Sequence, residues 1–208
     1  VVCYFPSTDE RTLKEIHDDV QKHLEKEYLI EEKASAVRIL NLKNASLPDG
    51  YHIDVVPGRF IEGSSDVFLH VTNGEKDRMQ TNLKVHINHI TSSGCEDVIK
   101  LVKLWNCRNN LTMKTFVLEL FVIDALSGFR EKSDLSKSLV KVFEAFRDNF
   151  QKTQLIDPAN SANIVSALVG SSHKALITQT AKESLSKIIN PNNLSGWQAI
   201  FAESNSSI

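Results

Sequence analysis

The hydrophobic pattern divides the chain in two. Up to about residue 72, apolar residues come mostly in short β-branched and aromatic runs; beyond it they recur every third or fourth position, the spacing of amphipathic helices. In the first part, residues 1–5 read as a strand that stops at Pro6. Ser7-Thr8-Asp9-Glu10 has the form of a capping box, with Ser7 as N-cap and Glu10 reaching back. Leu13, Ile16, Val20 and Leu24 follow at helical spacing, so a helix over residues 8–26 is expected. Residues 35–42 and 51–56 are predicted to pair as antiparallel strands across the turn-forming cluster Ser46-Leu47-Pro48-Asp49-Gly50. Residues 60–61 and 66–71 predict short strands. After Thr72-Asn73-Gly74 the pattern predicts helices over residues 82–90, 96–107, 115–126, 134–150, 160–169, 173–189 and 194–202. The expected division is therefore a sheet-bearing part, residues 1–74, and a helical part, residues 75–208.

Composition narrows the class. With 208 residues, 41% hydrophobic and 24% charged, the chain has the make-up of an ordinary soluble globular protein. No apolar run approaches the roughly 20 residues that span a bilayer, and Val1-Val2-Cys3-Tyr4-Phe5-Pro6 lacks the basic flank and cleavage site of a signal peptide, so a cytoplasmic protein with no membrane partner is the default expectation. Cys3, Cys95 and Cys107 are odd in number and far apart, which points to reduced thiols and away from a zinc site. A formal net charge of -2 argues against gripping long nucleic acid through the overall field, though it leaves room for a local basic cleft.

Two places hold candidate chemistry. On the strand around residue 54, alternation turns Tyr51, Ile53 and Val55 one way and His52, Asp54 and Val56 the other. A carboxylate amid apolar neighbours is costly to bury unless it is paired or ligates a metal; a solvent-facing aspartate is the plainer reading of the residue alone. On the helix over residues 96–107, Val98, Leu101, Val102 and Trp105 form an inward stripe, and Lys100 and Lys103 lie on the other flank, one turn apart. Two such ammonium groups suit a mobile polyphosphate, yet a solvated helix face would carry them as well. Lys114-Thr115 precedes the apolar helix over residues 115–126. Thr115 or Thr112 is a candidate N-cap there, and a helix start with a nearby lysine and hydroxyl suits an anion.

His52-Ile53-Asp54-Val55-Val56-Pro57 resembles the third-carboxylate strand of polymerase β-like nucleotidyltransferases. The likeness is nearest to the bacterial cyclic-oligonucleotide synthases of anti-phage defence, relatives of oligoadenylate synthase and cyclic GMP-AMP synthase. Further segments are similar in order and spacing: Thr81-Asn82-Leu83-Lys84-Val85-His86-Ile87, Leu101-Val102-Lys103-Leu104-Trp105-Asn106, Lys114-Thr115-Phe116 with threonine for the usual serine, Asp157-Pro158-Ala159-Asn160-Ser161-Ala162-Asn163-Ile164-Val165, and Trp197-Gln198-Ala199-Ile200-Phe201. The resemblance implies an α+β fold, a nucleotidyltransferase sheet incomplete at its N-terminus followed by a helical bundle. It implies nucleoside triphosphates (ATP, and GTP or others) as ligands, magnesium or manganese as cofactor, and room for a regulatory protein partner. Asp54 would be the third metal-binding carboxylate and help deprotonate the attacking ribose hydroxyl. Lys103, with Lys100 or Lys114, would hold the donor triphosphate, and Thr115 would contact phosphate or base. Asp157 and Asn163 read as a turn and cap.

The family's first two carboxylates form an Asp-x-Asp pair just ahead of the segment matching residues 1–5. Neither Asp18-Asp19, on a helix, nor Gly63-Ser64-Ser65-Asp66, beyond Asp54, substitutes for it. In-line transfer with two divalent ions needs more than one aspartate, so the chain as written is expected to be inactive. Residues 1–5 read as an interior-type strand needing a neighbour on each side, which points to a segment upstream of Val1. Two alternatives stay open: a catalytically inactive nucleotide-binding or interaction module of the same fold, and an RNA-tailing nucleotidyltransferase, which the slightly acidic balance disfavours.

Overall fold

A computed structural model describes residues 1–43, 47–48, 51–72, 77–188, 190 and 193–202. It separates into two compact units, Val1–Leu83 and Lys84–Ile208.

The first unit carries β1 (Val2–Phe5), α1 (Leu13–Leu24), β2 (Tyr28–Glu32), β3 (Val37–Leu42), β4 (Ile53–Phe60), β5 (Val67–His70) and β6 (Arg78–Thr81). The strands run β2-β3-β4-β5-β6 in antiparallel order, and β1 joins β4 in parallel, Val2 opposite Val56 and Phe5 opposite Arg59. The antiparallel pairing of β3 and β4 agrees with the sequence; part of the turn cluster between them, at residues 46 and 49–50, lies outside the described residues. Two strands escape the sequence reading. β2 is mostly exposed and has little alternation, and β6 reads Arg-Met-Gln-Thr; because β6 pairs with β5, the sheet continues past residue 74 to Thr81 and the compact unit to Leu83. Pro57 has no amide to give, and it falls between the β3 pairing, which ends at Val55, and the β5 pairing, which starts at Gly58.

Helix α1 begins at Leu13, later than the sequence suggests. The working capping box is Thr12 with Glu15: Thr12 Oγ1 accepts from the Glu15 amide at 3.2 Å and the Glu15 carboxylate accepts from the Thr12 amide at 2.7 Å. Residues 9–11 are held out of the helix because Arg59 donates to the carbonyls of Asp9 (3.0 Å) and Arg11 (2.6 Å), while Arg11 forks onto the Asp9 carboxylate. The Arg11 guanidinium holds the Asp9 carboxyl down at about 2.

α1 packs on β3, β4 and β5, covering buried Val37, Ile39, Val67 and Leu69 with Ile16. His17, also on the buried side of α1, is 1% exposed, edge-on to His70 at 5.6 Å, and neither ring nitrogen has a hydrogen-bond partner among the described residues. Burial, and then the neighbouring His70, push its pKa below the usual 6.5. The unfolded chain therefore binds a proton that the folded one refuses. The stability this residue contributes is complete above 6.5 and is lost as pH falls below 6.5 through the depressed folded value. Urea midpoints at pH 7.5 and 5.0 should lie closer together in His17→Leu than in the parent; an unchanged gap contradicts this.

Gly58 marks the tightest crossing in the sheet. A Cβ there would stand 2.7 Å from Leu69 Cδ2, 3.0 Å from the Phe68 carbonyl oxygen and 3.3 Å from the Tyr4 ring. The backbone oxygen cannot yield as a flexible side chain does, so Gly58→Ala is expected to cost about 1–3 kcal/mol in urea denaturation.

The second unit carries α2 (Leu83–Thr91, from its second residue on), α3 (Glu96–Arg108), α4 (Thr115–Ala125), α5 (Leu135–Asp148), β7 (Ile156–Asp157), β8 (Asn160–Ile164), a 3-10 turn (Val165–Leu168), α6 (Ser171–Lys187) and α7 (Leu194–Phe201). Its core centres on Trp105, Phe121, Phe143, Phe146 and Phe150, all at most 1% exposed. α3 buries Val98, Ile99, Val102 and Trp105; Leu101 is only half-buried. The helix expected over residues 160–169 is absent. Asn160–Ile164 instead pairs with Ile156–Asp157 as a short hairpin, because the Asp157 carboxylate accepts from the Ala159 amide at 2.8 Å and from Asn163 Nδ2 at 3.0 Å and so fixes a turn. Cys3, Cys95 and Cys107 are free thiols, and no described helix is long and apolar enough to cross a membrane.

Candidate nucleotide site

The candidate residues fall in both units, and each group is placed by the elements of its own unit. In the first unit, Val37 and Ile39 are buried on the α1 side of β3, so Arg38 between them faces the other way. β4 repeats the pattern, with Val55 opposite Val37, Ile53 opposite Ile39, and Asp54 opposite Arg38. Asp54 thus stands on the face turned away from α1, as the alternation predicts. Its partner is unforeseen. Arg38 Nε donates to Asp54 Oδ1 at 2.7 Å and Nη2 to Oδ2 at 3.0 Å, a bidentate fork that engages both carboxylate oxygens. The Arg38 guanidinium holds the Asp54 carboxyl below the usual carboxylate range and is itself pushed up by the pair. Across the sheet Glu31 on β2 stands opposite Arg38 and is paired with Lys33 at 2.6 Å, so the open face carries a row of alternating charges, Asp54, Arg38, Glu31, Lys33.

In the second unit the predicted binders lie on α3 and at the start of α4. Lys103 on α3 reaches Glu119 on α4 at 2.6 Å, and Glu119 lies one turn after Thr115, so the ammonium sits along the flank of α4 that Thr115 begins. Lys100 projects one turn earlier on α3, held by Asp97 at 2.9 Å in full solvent. The N-cap of α4 is Lys114, neither Thr115 nor Thr112. Thr112 adopts a left-handed φ of 51°, and the cap makes no side-chain hydrogen bond, which leaves the first amides of α4 without a side-chain acceptor. Beside this helix start, Phe116 packs against His86 at 4.7 Å, and His86 Nε2 meets the buried Asp157 carboxylate at 2.7 Å. Asp157 and Asn163 thus satisfy one another, the turn and His86.

Magnesium or manganese fits this donor set poorly. Among the described residues no three His, Cys, Asp or Glu side chains converge, and the one expected metal carboxylate, Asp54, has both oxygens on an arginine. Lys103 likewise has a carboxylate partner already.

No protein-family model matches the chain, and no curated protein matches it. Solved structures do. CdnC of Escherichia coli MS115-1 with ATP superposes at a TM-score of 0.71 with 18% identity over 96% of this chain and 76% of that one. The same protein in complex with HORMA-deltaN gives 0.71, 17%, 96% and 75%. DncV of Vibrio cholerae, a cyclic AMP-GMP synthase in complex with the linear intermediate 5' pppA(3',5')pG, gives 0.68 and 16% over 98% of this chain and 61% of that one. This chain has the fold of the cyclic-oligonucleotide synthases. That fold agrees with the α+β class expected from the sequence, a sheet and helices.

Proposed function

We propose that this chain is the nucleotide-holding scaffold of a nucleotidyltransferase that joins nucleoside triphosphates into a cyclic di- or oligonucleotide. The observation that carries the reading is the likeness of fold over 96% of the chain to a protein solved with ATP. In the reaction a ribose hydroxyl, its proton passing to solvent with the help of the Asp54 carboxylate, attacks an α-phosphorus; a new phosphodiester bond forms, and the bond to pyrophosphate breaks. Lys103, Lys100 and Lys114 hold the donor triphosphate, and Thr115 at the uncapped start of α4 contacts its oxygens. Phosphate displaces Glu119 from Lys103 in this scheme. Asp54 is the carboxylate of the transfer site, and anti-phage defence, with a regulatory protein partner, is the proposed setting.

The two-ion chemistry of magnesium belongs to a chain that supplies further carboxylates beside Asp54. The register of β1 supports where they enter: continued upstream, a residue joined ahead of Val1 lies opposite Asp54, and the residue two before it lies opposite His52, both on the Asp54 face. An Asp-x-Asp pair fused directly to Val1 meets that geometry. Such an extended chain, given radiolabelled triphosphates and magnesium, is expected to form a phosphatase-resistant product; none with any of the four triphosphates or their mixtures would sink the reading. A second reading, a binding module without catalysis, is favoured by the closed Arg38–Asp54 pair, and triphosphate binding without product would support it.

A further inference from the structure

Besides the lack of converging ligands among the described residues, the misfit between Asp54 and a divalent ion has a local cause, the arginine that faces it. A fork across Nε and Nη2 takes one oxygen at each contact, and its positive charge stands where an incoming dication would be attracted. Arg38 is only partly exposed, with 26% of its side chain open to solvent against 39% for Asp54, so the pair is less screened than two freely solvated ions. The backbone nitrogen of Val1 donates to the Asp54 carbonyl at 2.7 Å, and the carboxylate is taken by Arg38.

Arg38 also has a second acceptor within the sheet. Cross-strand register puts Glu31 directly opposite it on β2, on the same face as Asp54, which lies directly opposite it on β4. Arg38 stands on the middle strand between two carboxylates. Asp54 holds it now, and Lys33 satisfies Glu31. The energetic cost of freeing Asp54 is smaller if the guanidinium can re-pair with Glu31 than if it must be left unpaired in a half-buried position.

We propose that Arg38 is the positioning residue of Asp54: it holds the carboxylate closed to divalent cations, and Asp54 opens when Arg38 crosses to Glu31. The inference rests on the reading of Asp54 as a transfer-site carboxylate, but its test does not need catalysis.

The experiment titrates manganese into the isotope-labelled 208-residue chain and follows paramagnetic broadening of the backbone amides of residues 53–56. The parent is expected to need at least about ten times more manganese for a given broadening than Arg38→Gln, because removing a cation beside the ligand favours the dication. Glu31→Gln, which removes the second acceptor, is expected to need more manganese than the parent. Arg38→Lys keeps the charge without the fork and should fall between parent and Arg38→Gln; it serves as the informative variant if Arg38→Gln does not fold. Asp54→Asn combined with Arg38→Gln should abolish the localised broadening. Equal broadening in the parent and both Arg38 variants overturns the proposal, as does no localised broadening in any of them, or a Glu31→Gln variant that binds manganese more tightly. If manganese behaves as expected while the extended chain makes no product, the reaction reading fails and the role of Arg38 stands. Product formation with unchanged manganese response gives the reverse.

Discussion

Trp105→Ala is expected to lower the stability of the helical unit by about 3–5 kcal/mol. Trp105 is fully buried on α3, with its ring 5.0 Å from Phe143 and 5.5 Å from Phe146 on α5, and its indole nitrogen donates to Ser184 Oγ on α6 at 3.0 Å. One side chain therefore ties three helices through both packing and a directed bond. Truncation removes the largest apolar volume in the core and leaves a cavity bounded by Phe143 and Phe146; Phe146 is packed in turn against Phe121 and Phe150 and has little room to collapse. The Ser184 hydroxyl keeps its own acceptor, the Thr180 carbonyl at 2.8 Å, so the polar part of the loss is modest. Trp105→Phe separates the contributions: it keeps much of the packing and should cost clearly less than alanine. Urea unfolding followed by far-ultraviolet circular dichroism measures both. A loss below about 1 kcal/mol for alanine would mean that Trp105 is not at the centre of this core.

The same residue shows what sequence can and cannot disclose. The helical unit was legible because its faces repeat at 3.6 residues: Val98, Val102 and Trp105 mark the inward side of α3 before any coordinates, and the strands β3 and β4 announce themselves by β-branched alternation. Residues 160–169 misled because their content of Ala and Val satisfies a helical window, while the decisive influence is the Asp157 carboxylate, which draws in the Ala159 amide and Asn163 and turns the chain. The helix start at Thr12 was hidden for a similar reason: Ser7-Thr8-Asp9-Glu10 and Thr12-Leu13-Lys14-Glu15 both spell a capping box, and Arg59, from a strand 48 residues on from Arg11, decides between them.

The site divides along the same line. Asp54 and the lysines are local signals, visible as polar residues in an apolar context. Arg38 and Glu119 are visible only once register and helix packing are known, since the predicted pairing of residues 35–42 with 51–56 does not fix the register that sets Arg38 opposite Asp54. Those two unforeseen partners change the chemistry most, because each neutralises a group that the sequence offers as free.

The second large effect concerns Asp54 in the chain extended upstream by Asp-x-Asp. Asp54→Asn is expected to reduce formation of phosphatase-resistant product by at least about a hundredfold, since even residues that only support a metal ligand are worth 10–100-fold. Binding of the triphosphate should change by less than about threefold, because the proposed phosphate contacts, Lys103, Lys114 and Thr115, are other side chains, and Asp54 is paired with Arg38. Stability should change by less than about 1 kcal/mol: the ion pair is more than a third exposed at Asp54, and solvent screens much of its attraction. This pattern of lost turnover with kept binding and kept fold separates a reacting carboxylate from a structural one. A purely structural Asp54 would instead lose stability and binding together. The pH dependence adds a second check. Because Arg38 holds the Asp54 carboxyl below its usual value, Asp54 of the 208-residue chain stays ionised as pH falls from 7 to 5, and its ion pair with Arg38 should persist over that range. Arg38→Gln removes the cause of the depression and should move the titration of the Asp54 carboxyl, followed by nuclear magnetic resonance in the 208-residue chain, upward in pH, towards the ordinary carboxylate range.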